Sequence, residues 1–446
     1  MHCNSTDTYT KRQRIAELAR QDHQVAFTSL NHLLDSDLLH LAFEKTSRDA
    51  APGVDGQTAR DYAADLRSNL ESLAVRARSG TYRAPPVRRV HIPKGTGPET
   101  RPIGIPTLED KVLQRAAVML LEPLYEPLFH QGSYGFRRGR SAHQALESLW
   151  KQSMDAGGGW ILDVDIRKFF DTLDHGHLRE LLRRRVRDSV LLRLIDKWLK
   201  AGVLEDGAIS YPEDGTPQGG VISPLLANIY LHYVLDEWLE REVKPRLRGR
   251  VFLIRYADDF VLGFTCEADA RAVLAELPQR FQEYGLTLHP QKTRLVRFRP
   301  RPKRRDRPRD DVPHTFDFLG FTHYWGLSRK GTWAVKRKTA RDRFTRTLQR
   351  IGEWCRTHRH RPVGEQHVTL RQKLQGHYAY YGITGNSAAL SRLLYAVRAL
   401  WRKWLDRRNR ERRWTWAHHA RLLERYPLPP PVAVHSALRH AANPCH

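Results

Sequence analysis

The chain has 446 residues, 40% of them hydrophobic, enough for a sizeable core divided over roughly two to four domains. Its 75 Lys and Arg against 49 Asp and Glu leave a formal charge of +26, so the surface must draw a polyanion. No apolar run reaches the ~18 residues that span a bilayer and Met1-His2-Cys3-Asn4 opens no signal peptide, so nucleic acid rather than membrane is the expected partner, and four scattered cysteines make a reducing cytosol the default compartment.

In chain order, residues 10–45 carry apolar positions at helical spacing, among them Leu30, Leu33, Leu34, Leu38 and Leu41, and predict a short helical extension. Pro52-Gly53-Val54-Asp55-Gly56 is a turn, and Thr58-Ala59-Arg60-Asp61 resembles a capping box that opens the next helix. Val87 to Lys94 and Arg101 to Pro106 alternate like strands on either side of a turn. Helices follow from Leu108 to Leu120 and from Ala142 to Trp150. Gly157-Gly158-Gly159 lacks the Gly-Lys-Ser/Thr of a P-loop and reads as a turn.

Ile161 to Phe170 predicts a strand in which Asp163 and Asp165 share a face, because strand side chains repeat every second residue. Leu178 to Leu199 and Pro224 to Leu239 read as helices. Between them Gly215-Thr216-Pro217-Gln218-Gly219-Gly220 forms a tight loop whose glycines let the backbone approach a ligand. Tyr256-Ala257-Asp258-Asp259 then sits between the apolar runs 251–254 and 260–264, at the bend of a predicted β-hairpin. Adjacent carboxylates in an apolar setting repel and lose hydration, so a cation or a catalytic duty is the usual reason to keep them charged. One acid from the upstream strand and the hairpin pair would make an oxygen cage suited to magnesium and to phosphoryl transfer by two metals. Strands alternating with helices around an inserted hairpin predict an α+β core.

The pattern changes at Arg299. Residues 299–309 hold seven cations (Arg299, Arg301, Lys303, Arg304, Arg305, Arg307 and Arg309), one acid and three prolines, and predict an exposed RNA-binding loop. Beyond Phe321 the chain reads as basic, aromatic and helical to about Tyr426. Over residues 401–426 nine Lys or Arg alternate with Trp401, Trp404, Trp414, Trp416 and Tyr426, which pairs phosphate attraction with flat stacking faces. Trp401 and Trp404 lie one helical turn apart and fit a packing face. Cys355, His358 and His360 have no second half at zinc spacing.

Six blocks in this order resemble reverse transcriptases, and most closely the bacterial group II intron reverse transcriptase–maturases: Arg101-Pro102-Ile103-Gly104-Ile105-Pro106 with Asp110-Lys111; Tyr134-Gly135-Phe136-Arg137 with Gly139-Arg140-Ser141; the strand and turn from Asp165 to Asp174; Thr216 to Gly220; Tyr256 to Asp259; and Phe318-Leu319-Gly320-Phe321. The resemblance runs from about Pro52 to about Pro430 and includes the thumb signature Gly376 to Gly382. It implies a right-hand polymerase: a helical N-terminal extension over 1–57, fingers and palm over 58–325, a helical thumb or maturase region over 326–405, and a basic nucleic-acid-binding segment over 406–446 without an endonuclease domain.

The resemblance also implies site roles. Asp165, Asp258 and Asp259 are the expected catalytic ligands of two magnesium ions, and Lys94 and Arg101 the expected cations on the incoming triphosphate. Phe170 is expected beneath the deoxyribose with Gln218 beside it, Lys292 either near the leaving group or as a plain surface charge, and Phe318, Leu319 and Gly320 as the primer grip. Phe170 is thus the expected gate against a 2′-hydroxyl, and its neighbour Phe169 is expected to be core. The implied partners are intron RNA, an RNA template with a DNA primer, dNTPs and target DNA, with no membrane. The function that follows is RNA-directed DNA synthesis with assistance to intron splicing. The alternatives are an enzyme recruited for host defence or DNA repair, and a maturase acting chiefly as an RNA-binding splicing factor.

Overall fold

The computed structural model describes residues 5–93, 99–205, 207–211, 215, 219–300, 314–328, 330–408 and 415–435. They form two compact units. One runs to Leu295 and leaves out 153–158; the other takes 153–158 and the chain from Val296. The strands in chain order are β1 (Val87–Pro93), β2 (Thr100–Ile105), β3 (Gly159–Val164), β4 (Val203–Glu205), β5 (Ala208–Ser210), β6 (Val251–Tyr256), β7 (Asp259–Phe264), β8 (Arg294–Phe298), β9 (Phe316–Phe318), β10 (Phe321–Leu327) and β11 (Trp333–Thr339). Helix and sheet are mixed within each unit, an α+β architecture.

In the first unit one sheet has the order β2-β1-β4-β5 and a second holds β6, β7 and β3 in that order. Strand β7 lies between β6 and β3, both antiparallel to it, and its residues from Phe260 to Phe264 are buried. A strand covered on both faces demands a continuous apolar run, which Phe260-Val261-Leu262 supplies. The helix Leu108–Tyr125 runs through the core, and Thr107 caps its start by accepting the Asp110 backbone N–H. Leu30, Leu33, Leu34, Leu38 and Leu39 are buried in that same core, so the N-terminal helical segment packs as part of this unit.

The sequence predicts one helix over 178–199, and the structure has two, His175–Arg183 and Ser189–Leu199. Asp188 divides them. One of its carboxylate oxygens accepts the Val190 and Leu191 N–H groups as an N-cap, and the other accepts those of Leu30 and Asn31. Helix Ser223–Leu231 continues into wider π-helical turns over His232–Glu237 and Leu239–Val243, a local geometry often found near functional sites.

In the second unit β9, β10 and β11 form an antiparallel sheet, followed by helices Arg341–Thr357, Val363–Tyr381 and Ser387–Asp406. Trp401 is wholly buried among Ile351, Leu370, Leu374 and Val397 and donates its indole N–H to Gln366 at 3.0 Å. Trp404 only borders this core. Among the described residues no helix is long and apolar enough to cross a membrane.

Candidate active site

Strands β6 and β7 are joined by two residues, Ala257 and Asp258, with Tyr256 opposite Asp259. Ala257 has φ 59, the left-handed backbone that a two-residue hairpin of this kind needs at its first position and that glycine usually fills. The turn therefore costs about 1–2 kcal/mol of local strain, held in place by its surroundings. Arg255, with no exposed surface, donates to the Ala257 carbonyl at 3.1 Å, to Asn228 Oδ1 at 3.0 Å and to both oxygens of Asp236. A second clamp comes from residues 132–135. Arg255 donates its N–H to Gly132, and Tyr134 donates to Arg255. Gly135 lies so close that a Cβ there would sit 2.3 Å from the Ala257 nitrogen, and its carbonyl accepts the Asn228 amide at 2.7 Å.

The turn is thus pinned from the core side while Asp259 is exposed and Asp258 half-buried. Burial raises the Asp258 carboxyl above the ordinary carboxylate range; the nearby Arg101 charge opposes the rise and the Asp165 charge adds to it. That coupling places Asp165, Asp258 and Arg101 in one electrostatic neighbourhood. Asp165 follows the last residue of β3, and its carbonyl accepts the His289 N–H at 2.7 Å. Lys292 Nζ meets the Asp165 carboxylate at 2.6 Å. Asp163, which shares a face with Asp165 in the sequence pattern, is paired with Arg294 at 3.1 Å and turned to structural use.

Among the described residues no group of three or more His, Cys, Asp or Glu stands ready to hold a metal ion. The donor set nonetheless fits a hard divalent cation: the side chains are all carboxylates, and the Asp165 charge that raises Asp258 is the repulsion such an ion relieves.

After Asp165 the chain turns sharply through Lys168, at φ 47, into a single turn of 3-10 helix over Phe169–Asp171. Phe169 is 2% exposed in the core, and Phe170 is half-buried with its ring 5.3 Å from that of Phe169. Gly219, at φ 118, packs so tightly on β2 that a Cβ would stand 2.3 Å from the Gly104 carbonyl oxygen. Arg101 is exposed on β2, opposite Ile92 of β1.

In the second unit Leu319 and Gly320, both at positive φ, turn β9 into β10 between buried Phe318 and Phe321. Tyr380 donates its hydroxyl to the Leu319 carbonyl at 2.9 Å and so fixes the turn from the Gly376–Gly382 segment. Lys94, Gln218, Arg301, Lys303, Arg304, Arg305, Arg307 and Arg309 lie outside the described residues; Arg299 is exposed.

The model of the family described as reverse transcriptase (RNA-dependent DNA polymerase) matches residues 92–323, just over half of the chain. The chain belongs to the reverse transcriptase family. Protein YkfC of Escherichia coli (strain K12) is 39% identical to this reverse transcriptase over 239 residues, covering 47% of the chain and 62% of that protein. The group II intron-encoded protein LtrA of Lactococcus lactis subsp. cremoris is 37% identical over 225 residues, 49% of the chain and 37% of its own length. An uncharacterized 91 kDa protein in the cob intron of Schizosaccharomyces pombe is 26% identical over 385 residues, 72% of the chain and 45% of that protein. The chain thus spans less than two thirds of the length of each of these relatives.

Sequence reasoning missed Arg255, Asn228 and Asp236. A cation directly after the apolar run 251–254, on the same strand and just before Tyr256, was the available signal, since a charge on a buried strand must find a partner.

Proposed function

We propose that this chain is an RNA-directed DNA polymerase encoded by a group II intron, which copies intron RNA into DNA in the bacterial cytoplasm and assists that RNA in splicing. Chief support comes from the β6–β7 turn, which presents Asp258 where the charges of Asp165 and Arg101 both reach it. A nucleotidyl transferase needs that combination of acids for cations and a cation for phosphate. Relatives named as a group II intron-encoded protein and as a protein in the cob intron add the intron context.

On this reading residues 58–325 are the fingers and palm of a right hand, 326–405 the thumb, and 406–446 a basic segment for nucleic acid. Asp165, Asp258 and Asp259 hold two magnesium ions; magnesium bound there supplies the charge neutralisation that attack of a primer 3′-hydroxyl on a dNTP requires. Arg101, with Lys94, binds the triphosphate. Phe170 lies beneath the sugar and excludes a 2′-hydroxyl by contact, and Gln218 lines the same pocket. Lys292, paired with the Asp165 carboxylate, meets the departing pyrophosphate on this reading. Phe318, Leu319 and Gly320 grip the primer, and the cations of 299–309 hold RNA. Extension of a DNA primer on an RNA template with dNTPs tests the reading, and failure of the wild-type chain to incorporate any nucleotide contradicts it.

A further inference from the structure

Phe136 is the central aromatic of Tyr134-Gly135-Phe136-Arg137, a motif to which the reaction above gives no task. Its ring is 60% exposed and its backbone has φ 54, a conformation that bulky side chains avoid. Neither burial nor local preference accounts for a phenylalanine there. The chain on both sides is locked. Tyr134 donates its N–H to Arg255, the Gly135 carbonyl accepts from Asn228, and Arg137, only 7% exposed, binds Glu126 and the carbonyls of His130 and Ser133. The framework thus holds an apolar ring out in solvent, and that ring stands 6.3 Å from the ring of Tyr256, two residues before Asp258. Arg138 beside it is exposed, and Arg140 is half-buried.

We propose that Phe136, together with Tyr256, is a stacking site for the 3′-terminal nucleotide of the primer, with Arg138 drawing the adjoining phosphates. A flat ring flanked by cations is the chemistry by which proteins hold nucleic-acid bases without reading sequence. The primer is the strand concerned because its 3′-hydroxyl must be delivered to Asp258, next to this ring pair. The proposal rests on the polymerase reading.

Its test uses the full chain and a primer ending in 4-thiothymidine annealed to an RNA template. Irradiation of the wild-type complex should crosslink the primer terminus to the peptide carrying Phe136. Phe136→Ala should raise the KM for primer–template about tenfold, the range expected for one lost base stack, without lowering Tm. Phe136→Trp should restore KM to within about twofold, which a purely structural role would not. Phe136→Gly, which accepts the left-handed backbone freely, should raise Tm while extending as poorly as the alanine variant. Wild-type KM in Phe136→Ala, or a crosslink at this peptide only when the thio-base is in the template, overturns the site while wild-type extension keeps the polymerase reading. Failure of the wild-type chain to extend any primer overturns both.

Discussion

The Arg255 guanidinium meets the Asp236 carboxylate at 2.6 Å, with the two side chains 0% and 1% exposed, and the same guanidinium holds the Ala257 carbonyl of the β6–β7 turn. Removing one partner strands a buried charge, so Asp236→Ala should cost about 3–5 kcal/mol in urea denaturation. An apolar replacement of both, Arg255→Met with Asp236→Leu, should recover most of that stability, because desolvated ion pairs gain little over well-packed hydrocarbon. It cannot replace the bond to Ala257. Primer extension in the double variant should therefore stay at least tenfold down while its unfolding midpoint returns toward wild type; recovery of both together would deny the pair a positioning role.

Acid stability carries the signature of the same pair. Burial alone would raise the Asp236 carboxyl, but the Arg255 charge, added to the Arg255 hydrogen bonds and the neighbouring His232, outweighs it and holds the group at about 2 against an ordinary 3.8. A carboxyl depressed by folding contributes stability in full above its unfolded value and loses it as pH falls through the folded one. Wild type should thus lose stability between about pH 4 and pH 2 more steeply than the double apolar variant, as measured by urea titrations across that window.

Asp110 shifts the other way. Its burial raises the carboxyl to about 6, although Tyr82 and Trp198 donate to it at 2.8 and 2.7 Å. The protonated form is the one folding favours, so its contribution is complete below about pH 4 and lost as pH rises through 6. Asp110→Asn keeps an acceptor for both donors and removes the charge. It should be more stable than wild type above pH 6, by up to ~3 kcal/mol at 1.36 kcal/mol per unit, with no gain at pH 4. An equal offset at both pH values would mean that the buried carboxyl is not the source.

Phe169 and Phe170 differ in burial and should differ in phenotype. Truncating the buried ring, Phe169→Ala, should cost about 3–5 kcal/mol of stability. Phe170→Ala should leave stability nearly intact and raise ribonucleotide incorporation relative to deoxyribonucleotide, read from competing extension assays, because the discrimination is steric. Reversed phenotypes would place the gate at Phe169.

On the proposed reading, the seven cations from Arg299 to Arg309 should bear on RNA affinity rather than turnover. With about three of them on phosphates, replacing all seven by Ser should flatten the log–log dependence of RNA affinity on salt by roughly 2. Equal slopes would remove this segment from the RNA-binding surface.

The hairpin and β3 could be read from the sequence because acids interrupt apolar runs at two sharply bounded places. What supports them could not. Arg255 finds Asp236 and Asn228 on a helix that runs into π-helical turns, and no 3.6-residue period signals that pairing. Lys292 reaches Asp165 from far along the chain, so spacing alone left it open between a leaving-group contact and a surface charge. The break at Asp188 escaped because Arg183 to Arg187 continue the charge pattern of a helix, although an Asp before an apolar run is an N-cap signal.

The most direct test of the central claim compares wild type with Asp258→Asn, which keeps the shape of the turn and removes one charged oxygen ligand, in magnesium-dependent extension of a DNA primer on an RNA template. RNA affinity, which the proposed reading assigns to distant cations, should be nearly unchanged, and DNA synthesis should vanish. Extension by Asp258→Asn at a tenth of the wild-type rate or more would contradict the assignment of this turn as the catalytic centre.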